Sequence, residues 1–267
     1  MPLKLQHRSS KCSSAVQPKL DFFQPISKPP NGGPIMFSRI ILGTLLTHLA
    51  LISPAAHAKA IRYVAMGDSY TIATGIEEKN SWPSQLTQKL AESGLEIDLV
   101  KTLGQRGWTS QQTIDGKLPL LKDFEPDFVT LLIGVNDWIR EGVSSRLFTL
   151  RMKTLMDGIQ KALSKPDKLL VLTIPDFSCS PQKKKWGYGK SAINGISRLN
   201  KILKAEVDFR GLLLVDIYPL SQKLCSQVGM FSGDGVHPSA LQYSKWIDLI
   251  FPYSLDILKS KSTGLKK

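Results

Sequence analysis

The chain is predicted to be an α/β protein: one three-layer, doubly wound parallel sheet of five strands. Three observations predict it. Short apolar runs alternate with helical patterns from residue 61 to residue 258. The strand runs are apolar nearly throughout, as strands covered on both faces require. No internal repeat or interior linker interrupts them, so residues 59–258 read as one domain, closed by right-handed crossovers.

The elements follow in order. Ile61–Met66 is the first strand, and Trp82–Ser93 a helix whose Trp82, Leu86 and Leu90 share a face. Ile97–Lys101 is a short second strand, and Gln111–Leu121 holds a short helix. Asp127–Ile133 (DFVTLLI) is the third strand; the long helix Ser145–Leu163 follows, with Leu147, Leu150, Leu155 and Ile159 as its apolar positions. Leu169–Ile174 is the fourth strand, Ile193–Val207 a helix and Leu212–Ile217 the fifth strand. Pro238–Leu258 closes the domain, with proline in its first turn. Asp176–Lys190, containing KKKWGYG, reads as a surface loop that overhangs the site, and 259–267 as a mobile tail.

The formal net charge is +13, but six of the 35 basic residues and one of the 22 acidic ones lie in 1–58, which leaves +8 on 59–267. These charges are interleaved rather than gathered into a basic face, and no nucleic-acid reading element is present. The charge is therefore read as a solvated surface suited to peripheral contact with an anionic envelope.

Residues 36–58 (MFSRIILGTLLTHLALISPAAHA) carry Arg39, an apolar run from Ile40 to Ile52, the helix breaker Pro54 and then Ala56-His57-Ala58. That is the pattern of a signal peptide, with cleavage expected before Lys59 and a periplasmic or secreted product. The apolar run falls short of the roughly 20 residues a bilayer span needs. Residues 1–35, rich in Pro, Ser, Lys and Gln, are expected to be a disordered extension upstream of a true start at Met36. Cleavage leaves Cys179 and Cys225, and both a disulfide and two buried thiols stay open.

Ligands of doubly wound sheets gather beyond the carboxyl ends of the strands. There the sequence places Gly67-Asp68-Ser69, then Gly107-Trp108-Thr109, then Gly134-Val135-Asn136-Asp137, and Asp234-Gly235-Val236-His237-Pro238 before the last helix. Acyl transfer needs a hydroxyl, a base, an orienter for the base and donors aimed at an oxyanion. Ser69 supplies the hydroxyl. His237 is the one histidine outside the export segment and extension, which makes it the base. Asp234 can hold its other ring nitrogen. The backbone N–H groups of Ser69 and Gly107 and the side-chain amide of Asn136 would form the oxyanion hole. Asp68 and Asp137 are read as loop braces. Trp108 and Trp138 stay open between pocket walls and core anchors.

These blocks, in this order, resemble the SGNH/GDSL hydrolase superfamily, matching its pattern at Ser69, Asn136, Asp234 and His237. The resemblance implies the SGNH hydrolase fold, a flavodoxin-like five-stranded sheet in the order 2-1-3-4-5. It also implies a cofactor-free serine hydrolase acting on small-molecule or lipid esters, of the lysophospholipase/carboxylesterase type. The second block often reads Gly-Asp-Thr in the family, and here Trp108 replaces the Asp. A carbohydrate O-acetylesterase or acyltransferase on envelope glycans would share every catalytic residue. An exported lipid- or glycan-binding protein would not need all of them. One histidine and two distant cysteines offer no metal-ligand spacing. Phosphate-loop, dinucleotide and G-x-S-x-G signatures are absent from the sequence.

Overall fold

The computed structural model describes residues 59–182 and 190–260, the side chains of 190–192 apart. The expected extension 1–35, the expected signal peptide 36–58, the lysine-rich part of the expected loop (183–189) and residues 261–267 lie outside the described residues.

Five strands, β1 (Ile61–Gly67), β2 (Ile97–Gly104), β3 (Phe128–Leu132), β4 (Leu169–Leu172) and β5 (Leu213–Val215), form one sheet. Every pairing is parallel and the order is β2-β1-β3-β4-β5. Every residue of β3 and β4 is buried, which is why those runs show no alternation in sequence. The edge strand β2 instead mixes exposed and buried positions. Its register against β1 slips after Tyr63, where Tyr63 faces Leu99 but Val64 faces Lys101.

Helices α1 (Trp82–Glu92), α2 (Ser110–Gly116), α3 (Val135–Ile139), α4 (Ser145–Ala162), α5 (Lys190–Phe209), α6 (Tyr218–Leu224) and α7 (Ala240–Lys259) occupy the connections. Strand order reverses between β2 and β3, so right-handed crossovers place α1 on one face and α4 and α5 on the other. The packing agrees: α1 lies against α7, and α4 against α5 and α2. Trp82 and Trp246, from the paired helices α1 and α7, are fully buried. Burial of a large apolar side chain contributes about 1.5–3 kcal/mol.

Two helices differ from the sequence expectation in informative ways. In α4 the inward stripe is Phe148, Met152, Leu155 and Ile159, while Leu147 and Leu150 are exposed. The stripe follows helical spacing from Phe148, and two leucines one position out of phase had obscured it. Helix α7 begins at Ala240, not at Pro238, because the Ser239 hydroxyl accepts from the Gln242 N–H and caps the helix there. Pro238 instead pairs with Phe231 in a short antiparallel bridge.

At its other end α7 runs through Lys259, one residue beyond the predicted boundary. Buried Lys168 donates to the carbonyls of Ile257 and Ser260 and to the Ser260 hydroxyl. A cation at a helix C-terminus satisfies orphan carbonyls and complements the helix dipole. Among the described residues no helix is long and apolar enough to cross a membrane.

Candidate active site

Strand β1 runs into a tight turn at its carboxyl end. The N–H groups of Thr71 and Ile72 both reach back to the Asp68 carbonyl, and the Thr74 N–H to the Ser69 carbonyl. Gly67 makes this turn possible. A Cβ there would collide with the Thr71 side chain and the Leu132 carbonyl of the neighbouring strand. Ser69 is thereby raised at the sheet edge, and the Tyr243 hydroxyl of α7 fixes the next residue by donating to the Tyr70 carbonyl at 2.9 Å.

Beyond β2, the chain turns at Gly107, whose φ of +76° lies in the left-handed region that favours glycine. Helix α2 then starts on a capping box. The Thr109 hydroxyl accepts from the Gln112 N–H, and the Gln112 side chain accepts from the Thr109 N–H. Beyond β3, Asn136 lies in the first turn of α3, a helix too short to have shown a period in sequence. Its Nδ2 donates to the Trp108 carbonyl at 2.9 Å. A carboxamide nitrogen carries two hydrogens, so one fixes the side chain and the other remains to serve a ligand. The N–H groups of Ser69 and Gly107 donate to no partner among the described residues.

Asp137, beside Asn136, braces three elements. It accepts from the Ser110 N–H (2.8 Å) and hydroxyl at the start of α2, and from Arg151 of α4 at 2.9 Å. Burial raises its pKa above the ordinary value, against these hydrogen bonds and the Arg151 charge.

The fourth block is a small hairpin tied by Ser232 N–H to the His237 carbonyl (2.7 Å) and Ser239 N–H to the Met230 carbonyl (2.8 Å). Asp234 organises it. Its Oδ1 accepts from the Val236 and His237 N–H groups and the Ser232 hydroxyl, at 2.8–2.9 Å. Its Oδ2 lies 2.6 Å from His237 Nδ1. Partial burial would raise the Asp234 pKa, but the hydrogen bonds from His237, Val236 and Ser232 outweigh it and lower it to about 2. The carboxylate is therefore ionised throughout the neutral range and presents a fixed acceptor to the imidazole.

This hairpin is held from behind. Cys179 and Cys225 form a disulfide, with Cα atoms 5.8 Å apart, which settles the alternative left open by the sequence. The Ser180 hydroxyl, next to that bond, donates to the Gly235 carbonyl at 2.6 Å.

One cavity of about 620 Å³ is lined by Ser69, Gly107, Asn136, Asp234 and His237 together. Tyr70, Val135, Ile139, Phe177 and Val236 give it apolar walls, and Arg106, Arg140 and Gln182 polar ones. Its size is typical of small-ligand sites. Trp108 and Trp138 are not among the lining residues. The Trp108 ring covers Gly116, where a Cβ would come within 2.7 Å of Cη2, and Lys117 Nζ lies 5.1 Å from the ring centroid. The Trp138 ring covers Gly195 and carries Arg198 at 5.5 Å. Both rings are half-buried and each rests on a helix glycine; Trp138 also packs against the hydrophobic core, whereas Trp108 does not join it. Sequence reasoning did not single out Arg106, Arg140, Ile139, Phe177 or Gln182. Arg106 directly precedes the Gly107 block and Arg140 lies three residues beyond the Gly134–Asp137 block, but exposed arginine is ordinary at such places. Among the described residues no group of three or more His, Cys, Asp or Glu could hold a metal ion.

Asp68 is fully buried. Its Oδ1 accepts from the Tyr70 N–H at 3.0 Å and its Oδ2 has no partner. Burial, and then the Asp137 charge, push its pKa up to about 7 from an ordinary value of 3.8. The folded state thus holds this proton more tightly than the unfolded chain. The associated stability is complete below about pH 4 and is lost as pH rises through about 7. Asp68→Asn keeps the acceptor and never ionises. It is expected to be more stable than the parent at pH 8 by on the order of 2–4 kcal/mol, with the difference vanishing near pH 4. Urea midpoints at pH 4, 6 and 8 check this; parallel pH profiles for the two proteins would refute it.

Residues 65–245 match the GDSL-like lipase/acylhydrolase family. This chain belongs to that family. As a GDSL/SGNH serine hydrolase it acts on esters. Esterase TesA of Pseudomonas aeruginosa is 26% identical over 204 residues, covering 76% of this chain and 92% of that protein. Among solved structures, one of a TesA superposes with a TM-score of 0.59 at 21% identity, covering 73% of this chain and 99% of that one. The Clostridium thermocellum family 3 carbohydrate esterase superposes with a TM-score of 0.60 at 25% identity, covering 75% and 98%. The GDSL-family fold agrees with the predicted α/β class and with the sheet order that the resemblance implied.

Proposed function

We propose that this GDSL-family esterase is exported, and that it hydrolyses carboxylic esters of the lysophospholipase/carboxylesterase type through an acyl-enzyme on Ser69. The supporting observation is the single cavity onto which Ser69, Gly107, Asn136 and the Asp234–His237 pair all open. Asp234 keeps the proton of His237 on Nδ1, leaving Nε2 as the base. Nε2 takes the Ser69 proton as Oγ attacks the ester carbonyl. The carbonyl oxygen, now negative, is met by the N–H groups of Ser69 and Gly107 and the second hydrogen of Asn136 Nδ2. The imidazolium returns its proton to the departing alcohol. Water then attacks the acyl-enzyme with the same base, releasing the acid.

Export is supported by residues 36–58 and by the disulfide, a bond favoured in oxidising compartments. A second reading, a carbohydrate O-acetylesterase or acyltransferase, is favoured by the likeness to the Clostridium thermocellum carbohydrate esterase.

The test is hydrolysis of p-nitrophenyl acetate, butyrate, octanoate and palmitate by protein recovered from cells expressing the full chain, beside Ser69→Ala. Turnover lost in the variant, from a product that begins at Lys59, is the expected result. A rate confined to acetate would shift the reading to the acetylesterase. Undiminished turnover in Ser69→Ala would reject the serine mechanism, and product retaining residues 36–58 would reject export.

A further inference from the structure

The cavity holds two guanidinium groups that the acyl-transfer chemistry does not use. Arg106 precedes the Gly107 turn and Arg140 follows helix α3, so they come from the loops after β2 and β3, and both line the cavity that contains Ser69. Arg140 Nη1 donates to the Gly107 carbonyl at 2.5 Å. One end of that guanidinium is thereby anchored to the residue whose N–H faces the oxyanion. Neither arginine forms an ion pair among the described residues, whereas Arg151 and Arg210 both do. The one carboxylate lining the cavity, Asp234, is committed to His237 and its own hairpin. Two permanent positive charges therefore stand with one already engaged negative charge at the mouth of a cleft, whose walls focus the field.

We propose that Arg106 and Arg140 form an anion subsite, and that the preferred esters carry a phosphate or carboxylate a few bonds from the scissile carbonyl. This rests on the esterase reading above and names its substrate class. The distance constraint comes from Arg140. Tied to Gly107, it reaches only charges close to the ester, not the far end of an acyl chain, which the apolar walls accommodate. Guanidinium forks suit both anions, since each offers paired oxygens to parallel N–H donors. Both side chains are exposed at the cavity mouth, so the preference they confer is sensitive to salt.

The experiment compares kcat/KM for three butyrate esters: neutral glycerol monobutyrate, glycerol 3-phosphate monobutyrate and O-butyryl glycerate. The readout is the anionic-to-neutral ratio, at low salt and in 0.5 M NaCl. At least one anionic ester is expected to lead the neutral one by about tenfold at low salt, with the lead shrinking at high salt. Arg106→Gln and Arg140→Gln should each lower that ratio, and the double variant should bring it to about one. The ratio is internal to each protein, so a variant of reduced overall activity still reports. Which anion leads distinguishes a phosphate headgroup from a carboxylated alcohol. A parental ratio near one, or a ratio unmoved in Arg106→Gln, overturns the subsite. If Ser69-dependent hydrolysis of the neutral ester stands in that case, the esterase reading survives alone. If no ester is turned over, both fall.

Discussion

Asp234→Asn is expected to lower kcat by about 10⁴ while leaving KM and the fold nearly unchanged. The substitution is selective because the two carboxylate oxygens have separate duties. Oδ1 gathers the Val236 and His237 N–H groups and the Ser232 hydroxyl, and the Asn carbonyl oxygen can accept all three. Oδ2 meets only His237 Nδ1, at 2.6 Å. An amide nitrogen there donates, so it drives the imidazole proton onto Nε2 and removes the lone pair that must take the Ser69 proton. The Asp234 pKa of about 2 adds a pH expectation. This carboxylate stays charged above about pH 3, so its own protonation does not limit the parent's activity anywhere in the neutral range. Steady-state kinetics with thermal melts check the first claim. Equal losses of activity and melting temperature would make Asp234 a hairpin brace and nothing more.

Removing Asn136 is the second large effect. Asn136→Ala should cost about 10²–10³ in kcat, with KM little changed, because its free N–H strengthens only as charge builds on the carbonyl oxygen. The side chain also ties α3 to the Trp108 carbonyl. Losing that bond exposes a carbonyl near an open cavity that water can reach, and should lower stability by only about 1 kcal/mol. Single-turnover acylation with p-nitrophenyl butyrate isolates the chemical step. Acylation at the parent's rate would remove Asn136 from the oxyanion site.

The sheet was legible because its central strands are buried on both faces. DFVTLLI has no polar interruption between Phe128 and Leu132 save Thr130, whose hydroxyl is satisfied by Tyr63. The candidate residues stood out in the sequence for a different reason. Ser69, Gly107 and Asn136 each lie just beyond a strand, whereas Asp234 and His237 lie beyond α6 and were picked out because His237 is the one histidine outside residues 1–58. What was not legible depends on three-dimensional proximity. Arg106 and Arg140 stand 34 positions apart and look like ordinary surface charge until β1 and its neighbours bring their loops together. Helices α3 and α6, at five and seven residues, are too short to display a period. Trp108 and Trp138 directly follow or sit near site residues, yet successive side chains on a turn or helix point in different directions, and both rings settle on glycines instead. The Cys179–Cys225 bond rests on a loop and a segment after α6 that no pattern predicts to be neighbours.

That bond separates two kinds of robustness in the molecule. The sheet and its helices are held by apolar burial, indifferent to the redox state of the surroundings. The hairpin that carries Asp234 and His237 is backed by a loop stapled covalently, with Ser180 as the link between staple and hairpin. Reductant is therefore expected to lower activity before it lowers the melting temperature, which assays and thermal melts run side by side with and without dithiothreitol check.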